Sequence, residues 1–319
     1  MEDVVHPIPH LPLVIQQRWS DIEEHRPALI VTSAPAWQVV SWHFAGIRQR
    51  RLIMCTEATQ AAWDAIPSHD CAVIYAIGGG LAVDTAKYLA AQANLPLICV
   101  PTALTVDAFL TPASGIRRDG CVVYIPTKAP DTLILDIDLL AAAPPHLRAA
   151  GITDVLSIAT GAWDWRFAAE HDRNPAQMPY QAWADDLAQS ILRQALACAT
   201  AAGRGDRGGL KVLFDLLALE VQLCHQIGHS RPEEGSEHYF AYAVENSVGH
   251  GLPHGDLVGP GILIMAERQG QEVAPLRNAL TDCHVPLNTI PTAVITATLA
   301  ALPAYCTRHA LPFGIAHTL

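Results

Sequence analysis

Two hydrophobic rhythms divide the chain. In the first part, short apolar runs alternate with segments whose apolar positions recur at helical spacing. Leu29-Ile-Val-Thr-Ser33 reads as a strand entering a turn, followed by an amphipathic helix over Ala36–Arg48. Arg51-Leu-Ile-Met-Cys55 and the helix Thr59–Ile66 form a second pair, and Cys71–Ile77 with Ala82–Ala93 a third. A further buried strand follows at Leu95–Pro101. Strands alternating with helices over short links predict a parallel sheet covered on both faces.

The rhythm changes near Ala141-Ala-Ala-Pro-Pro-His146. Beyond it β-branched runs thin out and Ala/Leu-rich helical patterns take over, at Ala149–Glu170, Tyr180–Ala202, Gly209–Gly228 and Glu237–Val248. The boundary is set at about 146: an α/β domain over 1–146 and a helical domain over 147–319. Gly203-Arg-Gly-Asp-Arg-Gly-Gly209 reads as a flexible loop between helices.

With 319 residues, half of them hydrophobic, the chain can bury cores of this size. No apolar run reaches the roughly 20 residues that span a bilayer. Met1-Glu-Asp-Val-Val-His-Pro7 lacks the basic, apolar and small-residue pattern of a signal peptide, so a cytoplasmic protein is expected. A net charge of −11 argues against nucleic-acid binding, which needs clustered cations on phosphates. The eight cysteines stand singly, mostly in apolar stretches, and read as reduced buried thiols. The apolar excess leaves room for a homo-oligomer interface.

Candidate chemistry gathers in three places. The third strand runs into Gly78-Gly-Gly-Leu-Ala-Val-Asp-Thr-Ala-Lys87. Glycines at a strand-to-helix junction let the backbone approach a pyrophosphate at the helix N-terminus, although a plain tight turn has the same residues. Asp84 also reads as a solvated acid at a helix start. The next strand ends in a loop carrying Thr102, Thr105, Asp107 and Thr111, at the sheet edge where open α/β folds bind ligands; turn capping is the competing role. Finally, Asp154, His238 and His254 each fall at the start of a predicted helix. One carboxylate and two imidazoles make a sound ligand set for Zn²⁺ or a similar ion, with His250 and His229 as competing ligands.

Taken together these segments resemble the iron-containing alcohol dehydrogenase and dehydroquinate synthase superfamily, and within it the sn-glycerol-1-phosphate dehydrogenases. The likeness rests on Gly78-Gly-Gly-x-x-x-Asp-Thr-Ala-Lys87, Pro101-Thr-Ala-x-Thr-x-Asp107, Gly151-x-x-Asp154, Thr160-x-x-x-Asp164-Trp165, Ser230-Arg-Pro-x-x-Gly-Ser-Glu-His238 and His254-Gly-x-x-Val-x-x-Gly261, in order. It implies a Rossmann-like, dinucleotide-binding domain followed by a helical, metal- and substrate-binding domain, with the active site in the cleft between them. NAD or NADP would be held by Gly78, Gly79, Gly80, Asp84, Lys87, Thr102, Thr105 and Thr111. Asp154, His238 and His254 would hold one divalent metal, Zn with Fe or Ni as alternatives. Asp107 and Asp154 would meet a small-molecule substrate.

The implied activity is reduction of a small ketone such as dihydroxyacetone phosphate to a glycerol-1-phosphate-type alcohol. A sugar-phosphate cyclase is the alternative, as is a dehydrogenase for another polyol or aldehyde. The cyclases usually need extra cations around the substrate, whereas Lys211 is the sole lysine after residue 146. In place of the family's second histidine, four residues after the first metal histidine, stands Tyr242, which shares a helix face with His238 and is the candidate proton relay. Glu57, after the second strand and with no arginine nearby, leans toward NAD.

Overall fold

The computed structural model describes residues 10–41, 46–47, 50–67, 70–118 and 121–319. The elements run β1 (Leu13–Gln16), β2 (Ala28–Thr32), α1 (Ala34–Val40), β3 (Arg50–Met54), α2 (Gln60–Asp64), β4 (Val73–Gly78), α3 (Gly80–Ala93) and β5 (Leu97–Pro101). A hairpin, β6 (Ala113–Arg118) and β7 (Cys121–Pro126), precedes β8 (Thr132–Leu135), α4 (Ile137–Ala141) and α5 (Pro145–Arg148). Helices follow: α6 (Ile152–Leu156), α7 (Ile158–Glu170), α8 (Ala182–Gly203), α9 (Arg207–Ile227), α10 (Ser236–Val248), α11 (His254–Arg268), α12 (Val273–Asp282) and α13 (Thr292–Arg308).

Six strands form one parallel sheet in the order β1-β8-β5-β4-β2-β3. Strands β2 and β4 are buried throughout, as expected where both faces are covered. Alternate residues divide between two cores: Leu29, Val31, Ile74 and Ala76 join the larger cluster, while Ile30, Val73, Tyr75 and Ile77 join the smaller one with Trp19 and Val40. The larger cluster continues without a break into the helical half, through Val155, Leu217, Phe240 and Ile262.

The predicted α/β-then-helical architecture is what the chain adopts, with four differences. Strands β1 and β8 and the β6–β7 hairpin were not legible in the pattern. The helix expected over 36–48 begins at Ala34 and is described to Val40; part of that segment, like Met1–Pro7, lies outside the described residues. The helix expected over 149–170 divides at Ser157 into α6 and α7. The loop expected over 203–209 is a tight link of Arg204, Gly205 and Asp206 between α8 and α9. Gly203 closes α8 against the chain: a Cβ there would lie 1.9 Å from the Asp282 carbonyl oxygen, so this glycine serves close approach rather than looseness. Asp206 caps α9 by accepting the Gly209 N–H at 2.8 Å.

All eight cysteines are free, six of them buried. Among the described residues no helix is long and apolar enough to cross a membrane.

Candidate active site

A cavity of about 970 Å³ opens where the carboxyl edge of the sheet faces α10 and α11. It lies at the point where the chain order reverses, between the ends of β2 and β4, with β5 beside them.

The sheet supplies backbone and hydroxyls. Gly78 has φ +147°, a region closed to most side chains, and turns β4 directly into α3. Gly79, Gly80 and Asp84 line the cavity, as do Thr102, Thr105, Asp107 and Thr111 beyond β5. The free N–H groups at the start of α3 therefore face the opening, an arrangement that accepts a pyrophosphate.

Two members of the predicted set do not line the cavity. Gly78 makes the turn and accepts the Thr102 N–H through its carbonyl at 3.3 Å. Lys87 is fully buried behind the wall, with Nζ 2.9 Å from Asp84 Oδ1 and donating to the carbonyls of Ala108 (2.8 Å) and Ala113. It braces α3 against the loop leading to β6 and points no donor into the cavity.

The helices supply charge. Asp154, in the first turn of α6, accepts the Asp107 N–H on Oδ2 at 2.9 Å, and its Oδ1 lies 3.1 Å from His254 Nε2. The His238 ring stands 5.2 Å from that of His254, centroid to centroid. His238 Nδ1 lies 2.9 Å from Glu237 Oε1. Glu237 is itself buried and accepts from Gly235 N and Thr160 Oγ1, both at 2.6 Å. Burial opposes a charge on His238, but the Glu237 bond and the nearby Glu234 and Asp154 outweigh it and lift the imidazole to about 9. Burial, then the charge of Asp154, pushes Asp107 up to about 7.

The three expected metal ligands thus converge, although they sit as an imidazole–carboxylate pair with a second imidazole alongside. Among the described residues no trio of His, Cys, Asp or Glu side chains is closed up as a metal cluster. Their donor types suit a divalent cation. The Glu237 carboxylate on His238 Nδ1 leaves Nε2 available, the support that metal-binding histidines use. His229 and His250 drop out of the competition: His229 packs edge-on to Trp165, His250 is exposed, and neither lines the cavity.

Tyr242 does reach the cavity, but its hydroxyl donates to Glu234 Oε1 at 2.7 Å, while Ser230 Oγ donates to Glu234 Oε2 at 2.6 Å. Burial, then Glu234, raises the Tyr242 hydroxyl well above its usual range. Glu233 and Glu234, the two unspecified positions of the Ser230–His238 motif, both line the cavity. Arg117 and Tyr124, from the unpredicted hairpin, line it too. Glu245 fastens that hairpin by accepting from Arg117 Nη1 at 2.7 Å and the Val122 N–H at 3.1 Å. Below the site, Asp164 accepts from Ser236 N (2.8 Å) and Oγ at the start of α10, from Gln269 Nε2 (3.1 Å) and from Ile315 N (2.8 Å).

Known proteins resemble this chain in sequence and in fold. Residues 32–144 match the sequence profile of iron-containing alcohol dehydrogenase. Glycerol-1-phosphate dehydrogenase [NAD(P)+] of Sulfurisphaera tokodaii is 33% identical over 213 residues, 67% of this chain and 60% of that protein. The Aeropyrum pernix protein of the same name is 30% identical over 233 residues, 72% of this chain and 64% of its own. The similarity therefore spans under two thirds of these relatives' length. In fold, glycerol dehydrogenase of Schizosaccharomyces pombe superposes with a TM-score of 0.65 at 20% identity, covering 97% of this chain and 85% of its own. An archaeal Red Sea brine pool alcohol dehydrogenase gives 0.68 at 16% identity, covering 97% and 92%. The chain belongs to the iron-containing alcohol dehydrogenase superfamily. Within it, the curated sequences it resembles at 30–33% identity are glycerol-1-phosphate dehydrogenases.

Proposed function

We propose that the protein is a metal-dependent, NAD(P)-linked dehydrogenase that interconverts a small ketone or aldehyde with its alcohol. The observation that carries this reading is the meeting, across one cavity, of the glycine turn before α3 with the Asp154, His254 and His238 cluster. The division at about 146 then separates a cofactor half from a metal- and substrate-binding half.

In the reductive direction a hydride from NAD(P)H adds to the carbonyl carbon and a proton to its oxygen, giving the alcohol and NAD(P)+. When bound, a divalent cation held by Asp154, His238 and His254 would supply Lewis acidity toward that oxygen. Gly79, Gly80, Thr102, Thr105 and Thr111 position the nucleotide; Lys87 contributes by bracing the wall that carries them. Asp107 borders the reacting centre, its backbone tied to Asp154. Tyr242 holds its proton on Glu234 rather than toward the cluster, which leaves the relay to Asp107 or water.

Dihydroxyacetone phosphate is the first substrate to try, on the name of the curated relatives. The test is oxidation of NADH and NADPH by metal-loaded protein, read by absorbance, with dihydroxyacetone phosphate, dihydroxyacetone and simple aldehydes. Oxidation abolished by His254→Ala supports the reading; no oxidation by protein that binds metal and nucleotide overturns it.

A further inference from the structure

The charges around the cavity narrow the substrate. Among the described residues lining it there are seven carboxylates and a single Lys or Arg, Arg117. That cation is spent: Arg117 Nη1 lies 2.7 Å from Glu245 Oε2. Asp84 is balanced from behind by Lys87, whose ammonium is taken up by it and by the backbone carbonyls of the 108–113 loop. Asp154 belongs with the two imidazoles. This leaves Asp107, Glu233, Glu234 and, at the start of α11, Asp256 lining the cavity with no Lys or Arg partner.

Glu234 is fixed rather than mobile. Both its oxygens accept from hydroxyls, those of Tyr242 and Ser230, which orient the carboxylate without neutralising it. Glu233 Oε2 is buried and has no hydrogen-bond partner. Phosphate recognition needs cationic forks or free helix N-terminal amides. The start of α3 is committed to the nucleotide. The start of α11 carries the acid Asp256 in its first turn. The start of α10 has given its Gly235 and Ser236 N–H groups to Glu237 and Asp164. A phosphate dianion here would lie against these acidic side chains with no unspent Lys or Arg to meet it, the imidazoles of His238 and His254 belonging with Asp154, whereas hydroxyl groups could hydrogen-bond to those same acids.

We infer that the substrate is an uncharged hydroxy-ketone or hydroxy-aldehyde, converted to an uncharged polyol, and that Glu234 with Tyr242 and Glu233 excludes phosphorylated analogues. The inference rests on the dehydrogenase reading above and uses the same balanced reaction, carbonyl plus NAD(P)H and a proton giving alcohol and NAD(P)+.

The test compares kcat/KM for dihydroxyacetone and dihydroxyacetone phosphate in metal-loaded protein, wild type and Glu234→Gln. The wild type should prefer dihydroxyacetone by about 100-fold, the scale of one like-charge contact between a phosphate dianion and a partly desolvated carboxylate. Glu234→Gln should move the ratio toward the phosphate by about tenfold, chiefly through KM for the phosphate. Calorimetry with NAD(P)+ present gives a second readout: glycerol should bind more tightly than glycerol 1-phosphate, and Glu234→Gln should narrow the gap. Turnover with preference for the phosphate, or tighter binding of glycerol 1-phosphate, overturns the inference and leaves the dehydrogenase reading standing. An unchanged ratio in Glu234→Gln removes Glu234 as the discriminating residue. Absence of turnover with every carbonyl in protein that binds nucleotide overturns both.

Discussion

The two walls of the cavity do different work with different materials. The sheet wall presents chiefly glycine backbone and threonine hydroxyls, with Asp84 and Asp107 among them, and its one lysine is turned inward as a brace. The helical wall presents carboxylates and imidazoles held by other carboxylates. A wall made of backbone can approach a ligand closely but tolerates no added bulk. A wall made of charged side chains depends on the groups that hold them, and loses function when those supports go.

The sharpest way to break this contrast is at its charged end. His254→Ala should lower turnover by about a thousandfold or more, about 4 kcal/mol of barrier, and reduce bound metal measured by elemental analysis while the melting temperature changes little. Retained turnover would remove the helical wall from the chemistry. Next is the support beneath that wall. Asp164→Ala strands the Ser236, Gln269 and Ile315 donors, and should cost about 3 kcal/mol of stability in denaturant unfolding. On the backbone wall, a Cβ at Gly79 would meet Thr105 Oγ1 at 3.2 Å. Gly79→Val should therefore weaken nucleotide binding about 30-fold by calorimetry, about 2 kcal/mol, with metal content intact.

A smaller effect lies in the sheet half, away from the cavity. The Arg26 hydrogen bond and charge hold Glu24 down at about 2, against its ordinary value near 4.5, with Tyr75 also donating to it. Because the folded state binds this proton less readily, its stabilisation is complete above pH 4.5 and lost as pH falls through 2. Arg26 is nearly half exposed, so the share should be about 1 kcal/mol. Glu24→Gln should flatten the melting temperature between pH 4.5 and 2. The smallest change should come from Tyr242→Phe with an uncharged substrate, under about fivefold in kcat, since the hydroxyl is turned to Glu234. A larger fall would restore Tyr242 as the proton relay.

How much of this could be read beforehand follows the same division. The continuous apolar runs of β2, β4 and β5, the glycine turn and the placement of His238 and His254 at helix starts all follow from local pattern. Strand β8 is four residues behind a Pro-Asp turn, and β1 is an exposed edge, so neither carries a strong period. The direction of Lys87 depended on three carbonyls from a loop over 20 residues away in sequence. Glu233, Glu234 and Glu237 were visible as letters, but only packing separates the one that holds a histidine from those that face the cavity. The glycines at 203–209 carry turn chemistry and close-packing chemistry in the same letters, and the partner that decides, Asp282, lies far along the chain.

The apolar cluster that runs unbroken from Leu29 and Val31 to Phe240 and Ile262 has a consequence for cooperativity. A division drawn at residue 146 separates roles and does not separate energies. Heat or denaturant should find one transition, because loosening the helices strips one face of the sheet to water. The halves cannot be swapped between relatives as independent cassettes, and any exchange of substrate helices has to carry a matching sheet face with it.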